Sequence, residues 1–221
     1  MNKKLKIFTA IHKSTQRNYL QRMMDNKVYF MNLAKKYSKD YWDGDRRAGY
    51  GGYKFIENYW APVAKKLIKQ YNLNNRSKIL DIGCGKGFLL YEIKKILPKI
   101  TIRGFDISKY AITNSHKKIK KFIKVADARK KFKYKTGDFD LAISLGCIHN
   151  LEIFQIKDFI KEISRVSSSQ YIMTESYRNE KELFNLQCWA LTCETFLSTS
   201  EWKWVFKEFK YKGDYELIFF E

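Results

Sequence analysis

Residues 79–87 read Ile-Leu-Asp-Ile-Gly-Cys-Gly-Lys-Gly. An apolar strand that runs into glycines at every second position has to turn sharply and bare its backbone, because Gly83, Gly85 and Gly87 carry no side chain to hold a ligand off. If a helix follows, its first N–H groups point at whatever lies in the turn. The spacing separates this turn from two common relatives. A dinucleotide fingerprint starting at Gly83 requires glycine at position 88, where Phe88 stands. A Walker loop requires four residues between its glycines and then Lys-Ser or Lys-Thr, which is also missing. What remains is acid-x-Gly-x-Gly-x-Gly.

From Lys78 onward, short apolar runs alternate with amphipathic stretches, the pattern of βαβ units. Strands are expected at 78–82, 100–105, 122–126, 139–145 and 170–175. Helices are expected from the glycine turn to Leu97, from Ser108 to about Lys120 and from Ile153 to Val166. Pro98 ends the first of these. Farther on, the pattern predicts a strand over 189–197, a helix from Ser198 to Lys210 and a last strand over 215–220. Ser198-Thr-Ser-Glu201 has the form of a capping box ahead of that helix. Upstream, helical stripes over 14–39 and 55–71 flank a loop, Tyr41–Tyr53, that is dense in aromatics, acids and arginines. Seven of the eleven glycines fall in this loop or the 83–87 turn, so glycine here marks loops rather than elements. The chain is read as a core at 77–221 preceded by a helical cap and lid segment at 1–76 that is not an independent domain.

In an open parallel sheet, ligands lie at the carboxyl ends of the strands where strand order reverses. Asp81, Asp106, Asp127 and Glu175 all fall at such ends. One acid at a strand end is as well explained by a helix cap. Three at successive strands beside a glycine turn are not. A carboxylate after the second strand can accept both hydroxyls of a ribose, and one after the third can accept an exocyclic adenine amine.

The 79–87 motif resembles motif I of the class I S-adenosylmethionine-dependent methyltransferases. The resemblance covers 78 to about 176 well and the remainder by pattern only. It implies a Rossmann-like, seven-stranded, mostly parallel sheet with helices on both faces and a hairpin-like terminal pair of strands. It implies that Asp81, Gly83, Cys84 and Gly85 cradle the methionine part of S-adenosyl-L-methionine, with S-adenosyl-L-homocysteine as product. By the same resemblance Asp106 meets ribose, Ile107 lies on adenine, and Asp127 with Ala128 meets the adenine amine. The segment Asp140–Leu151, including Leu145, resembles the family's fourth motif in its small-molecule form. It lacks the Asn/Asp-Pro-Pro-Tyr/Phe tetrapeptide of amino-methylating nucleic-acid enzymes.

Arg46 and Arg47 can grip a carboxylate or phosphate as planar forks, and Tyr50 and Tyr53 sit on a glycine-hinged loop suited to a lid. The competing reading is a surface loop whose aromatics pack on the next helix. His149 and Glu175 are candidate general bases, with core packing the default for His149. Tyr177 and Arg178 follow Glu175 toward the same crevice. The expected acceptor is therefore a small, anionic molecule.

The net charge of +20 also admits an RNA or protein substrate bound along the lysine-rich stretch 117–135, and a non-catalytic cofactor-binding module is a third reading. Lysines spread along the whole chain fit a solvated surface better. Cys84, Cys147, Cys188 and Cys193 have neither disulfide-framework nor metal-ligand spacing, so no metal and a reducing, cytoplasmic setting are expected. No apolar run reaches the roughly 20 residues of a membrane span.

Overall fold

The computed structural model describes residues 3–221. Its frame is a sheet of six parallel strands: β1 (Lys78–Ile82), β2 (Thr101–Asp106), β3 (Ile123–Val125), β4 (Phe139–Leu145), β5 (Ser167–Glu175) and β6 (Asp214–Ile218). The order across the sheet is β3-β2-β1-β4-β5-β6. From β1 the chain steps outward to β3 and then returns to place β4 on the other side of β1. The order therefore reverses between β1 and β4, and a crevice opens at their carboxyl ends.

Side chains alternate across the strands, so each face gets its own core. Leu80, Ile82 and Ala142 pack with α8 (Ile153–Val166) and α10 (Thr199–Glu208), through Phe159, Ile163, Trp202 and Phe206. Ile79, Leu141 and Ile143 face α5 (Ala61–Gln70) and α6 (Phe88–Ile96), through Ala64, Leu67, Leu90 and Ile93. The Ser198–Glu201 capping box forms as its sequence requires.

Ahead of this core lie four short helices, α1 (Thr9–Lys13), α2 (Tyr19–Met24), α3 (Lys27–Ala34) and α4 (Lys39–Asp43). The stripe over 14–39 is not one helix, because Asn26 takes a left-handed φ of 48° and divides α2 from α3. The segment is tied to the sheet edge by Glu216 on β6. Its carboxylate accepts the N–H groups of Ile7, Phe8 and Thr9 at 2.6–3.1 Å, where a helix N-terminus favours negative charge.

Several expectations need correction. The sheet has six strands, not seven, among the described residues, and β6 runs parallel to β5 rather than closing a hairpin. The ten residues of α10 make a crossover connection, which is what a parallel pair needs. No strand forms over 189–197. That stretch follows α9 (Glu180–Trp189), and the N–H groups of Glu194 and Thr195 are taken by the carbonyl of His149 instead of a ladder. The helix after β2, α7 (Lys109–Thr113), stops early, and the chain then turns to deliver Ile119 to the core. The helix expected from Phe55 begins only at Ala61, with Pro62 in its first turn.

Candidate active site

The floor of the crevice is the 83–87 turn. Gly83 and Gly85 adopt φ of 76° and 54°, a region that side chains disfavour. Space forbids one too. A Cβ on Gly83 would sit 2.8 Å from that of Cys147, and one on Gly85 would sit 2.9 Å from the Trp42 ring. The Asp106 carboxylate accepts the N–H of Gly85 at 2.9 Å and that of Ser108 at 2.8 Å, leaving a lone pair on each oxygen. Burial nevertheless pushes its pKa up. Asp81 beside it is buried, and burial followed by the charge of Asp106 raises its pKa to about 8. Neither acid pairs with a cationic side chain among the described residues. Such a pair of acids suits a ligand that brings its own positive charge.

Beside Asp106, a smaller cavity of about 130 Å³ is lined by Ile107, Asp127, Ala128, Leu145 and Cys147. The Asp127 carboxylate, pulled below its ordinary pKa by the Arg129 guanidinium, accepts three side-chain bonds from Arg129 at 2.8–3.1 Å. The acids and glycines singled out from the sequence thus converge on one crevice.

The roof comes from α4 and the loop after it. Trp42, Tyr50 and Tyr53 stack in series, and Tyr53 continues onto Phe88 with ring centroids 5.1 Å apart. Two polar contacts pin this stack to the floor. Trp42 Nε1 donates to Ser108 Oγ at 2.8 Å. Lys86, from the glycine turn itself, is buried and donates to both oxygens of Asp43 at 2.7 Å and to the Tyr53 carbonyl at 2.8 Å. Asp43 also accepts the Tyr110 hydroxyl at 2.9 Å.

Beneath the roof is a cavity of about 430 Å³. One wall holds His149 and Glu175, with Nε2 of the histidine 3.5 Å from Glu175 Oε2 and Nδ1 3.4 Å from Thr174 Oγ1. The other wall holds Arg17, Arg22 and Arg46 around the indole of Trp189. Arg46 lies where the loop reading put it. Arg47 does not line the cavity; it pairs with Asp45 and Asp25 on the outer face. Tyr177 and Arg178 also stand outside, bonded to Glu201 and to Glu182 and Glu221. Arg17, Arg22 and Trp189 have no local sequence signal, since each reaches the crevice only through packing of distant segments, whereas Trp42 lies in the aromatic loop but is not singled out within it.

The chain is similar to several known proteins. A family model described as "Methyltransferase domain" matches residues 73–213. The malonyl-[acyl-carrier protein] O-methyltransferase of Legionella pneumophila is 36% identical over 102 residues, which are 44% of this chain and 36% of that protein. The chain thus matches only about a third of that relative's length. The YcgJ protein of Bacillus subtilis is similar in structure with a TM-score of 0.53 at 16% identity, over 66% of each chain. A SAM-dependent methyltransferase from Aquifex aeolicus gives 0.50 at 17% identity, over 66% of this chain and 78% of its own. At such identities the structural likeness speaks to fold. No described helix is long and apolar enough to cross a membrane.

Proposed function

The chain belongs to the class I S-adenosylmethionine-dependent methyltransferases, and on that premise we propose that it methylates a hydroxyl or amine of a small, anionic acceptor in the roofed cavity. The observation that carries this reading is the cavity itself, closed above by Trp42, Tyr50 and Tyr53 and facing His149 and Glu175. When bound, S-adenosylmethionine supplies an electrophilic methyl carbon on a sulfonium.

The residues of this chain do the rest. Asp106 would offer its free lone pairs to the ribose hydroxyls, Asp127 with Ile107 and Ala128 would hold the adenine, and Asp81 would hold the ammonium. The roof excludes water and holds the acceptor in line, and alignment supplies much of the rate for an activated donor. His149, steadied by Glu175 and Thr174, takes the proton that a hydroxyl or amine loses. A carboxylate at neutral pH has no proton to give up. The acid–base pair therefore favours a protonated nucleophile over esterification of an acid, in contrast to the name of the Legionella relative.

The test is transfer of labelled methyl from S-adenosylmethionine to a small-molecule extract, with RNA and protein fractions run in parallel. We expect label in the small-molecule fraction, in a product stable to mild alkali. Label in RNA or protein, or release as methanol by alkali, overturns the reading.

A further inference from the structure

Four of the six arginines away from the cavity wall are ion-paired, the exceptions among the described residues being Arg76 and Arg103. Arg47 pairs with Asp45, Arg129 with Asp127, Arg165 with Glu162 and Arg178 with Glu182. The three at the cavity wall form no ion pair with any described carboxylate. Arg17 donates to the carbonyls of His12 and Thr15 and meets His12 Nδ1 at 3.2 Å. Arg22 donates to the carbonyls of Trp189 and Arg46, and Arg46 to that of Gly49. These acceptors are neutral, so three guanidinium groups stand at one wall without a direct ion pair among the described residues, and the charge of Glu175 reaches Arg17 only at longer range.

The arrangement is also costly. Burial lowers the pKa of Arg17, and burial with the neighbouring charge of Arg46 brings Arg22 down to about 10. Lys27 stands nearby with its ammonium on the carbonyls of Cys188 and Ala190, adding charge of the same sign. The buried Nε of Arg17 makes no well-formed hydrogen bond, although the Tyr19 hydroxyl lies close enough to interact with the guanidinium. A buried N–H without a well-formed bond is costly, so a ligand acceptor is a natural occupant of that position. His12, which burial and Arg17 push down to about 4, adds a neutral ring and not a further charge. Glu175 is the carboxylate that faces this group, and it lies with His149 instead.

The guanidinia sit over the Trp189 ring with centroid distances of 4.4–5.3 Å, and Arg17 lies over Phe220 as well. Aromatic stacking holds the forks planar and fixed, which is the geometry that recognises an oxyanion through paired N–H bonds. The lining also includes Tyr41, Tyr50, Tyr59 and Trp60, an aromatic surface that suits a flat body.

We propose that Arg17, Arg22 and Arg46 around Trp189 form an oxyanion subsite that holds a carboxylate or phosphate of a flat acceptor as its handle. This rests on the methyl-transfer reading above. The handle is kept and not methylated. The acceptor hydroxyl or amine forms its new bond to the methyl carbon while the carbon–sulfur bond breaks with its electron pair going to sulfur. S-adenosylhomocysteine is the by-product, and the proton goes to His149.

The experiment is calorimetric titration of the full chain, with and without saturating S-adenosylhomocysteine, using benzoate, phenyl phosphate and the neutral benzyl alcohol. At least one anion is expected to bind at least tenfold tighter than the alcohol, and the tighter of the two tells carboxylate from phosphate. Arg17→Gln should weaken that anion at least tenfold and Arg17→Lys less, with the S-adenosylhomocysteine dissociation constant unchanged in both. That constant reports a folded crevice. Arg22→Gln provides a second variant with the same expected loss. Equal binding of alcohol and anions, or anion binding that ignores Arg17→Gln and Arg22→Gln, overturns the subsite. Failure of S-adenosylhomocysteine itself to bind would overturn the cofactor reading instead, and the titrations without it still measure the wall.

Discussion

Asp81 carries an unusual burden, because it ends β1 inside the crevice next to a second acid and without a cation. Its pKa of about 8 lies far above the ordinary 3.8, with burial the main cause and Asp106 the next. The sign follows from linkage. A carboxyl whose folded pKa is raised contributes its full stability below about pH 4 and loses it as pH rises through 8. In that window the ligand-free protein should lose at most about 1.4 kcal/mol per pH unit through this group. Asp81→Asn should remove that slope, read as the difference between wild-type and variant denaturation curves from pH 5 to 8. In the proposed role of Asp81 the ligand's ammonium needs the ionised form, so S-adenosylhomocysteine binding should release a proton below pH 8 and tighten as pH rises. Calorimetry in two buffers of different ionisation enthalpy measures this, and zero proton release at pH 6.5 would contradict the role of Asp81. Asp106→Ala should cost about 1.5–3 kcal/mol of cofactor affinity, since a charged acceptor of hydrogen bonds is lost. NAD binding without any response to S-adenosylhomocysteine would contradict the assignment of Asp106 to that ribose.

At the scale of elements, the roof is held by a side chain from the floor. Lys86 is one of the variable positions of the glycine motif, yet here its ammonium joins the turn to Asp43 and Tyr53. Lys86→Met should leave Asp43 without its cation and destabilise the chain by at most about 3 kcal/mol, the low end for a buried pair because the Asp43 carboxyl keeps some solvent contact. The sharper readout is trypsin, which has sites at Arg46 and Arg47. Cleavage there should speed up in the variant and slow in the wild type when S-adenosylhomocysteine is added. Unchanged cleavage in both cases would show that the pair does not govern the roof. The loop's glycines and aromatics singled it out in the sequence, but they could not show which residues faced inward. Arg46 and Arg47 are adjacent, and the 3-10 turn at Arg46–Ala48 sends one over Trp189 and the other out to Asp25 and Asp45. Gly85 was readable as a position that needs no side chain; that Trp42 is what would meet one was not.

Across the whole molecule, what could be read depended on how local the cause was. Asp81 and Asp106 lie at the carboxyl ends of their own strands and Asp127 two residues past its own, so period and turn chemistry place them. The strand exchange between β1 and β4 follows from alternating βαβ units. Arg17, Arg22 and Trp189 meet because α2 packs on α9 from the far end of the chain, a contact no period encodes. The same contrast bears on the charge of +20. The lysines between 117 and 135 are all exposed and join no ion pair among the described residues, a solvated face away from the roofed cavity. Polyanion binding to such a face works by counterion release, and making about 6 phosphate contacts would cost it on the order of 10³-fold in affinity between about 50 and 200 mM salt. Ligands under the roof are screened far less, because their partners are buried. We therefore expect S-adenosylhomocysteine affinity to change less than about twofold over that salt range, while any RNA binding measured by fluorescence anisotropy collapses. Methylation of the small acceptor should persist at the higher salt. Methyl transfer that requires RNA and disappears with its binding would move the substrate from the cavity to the lysine face.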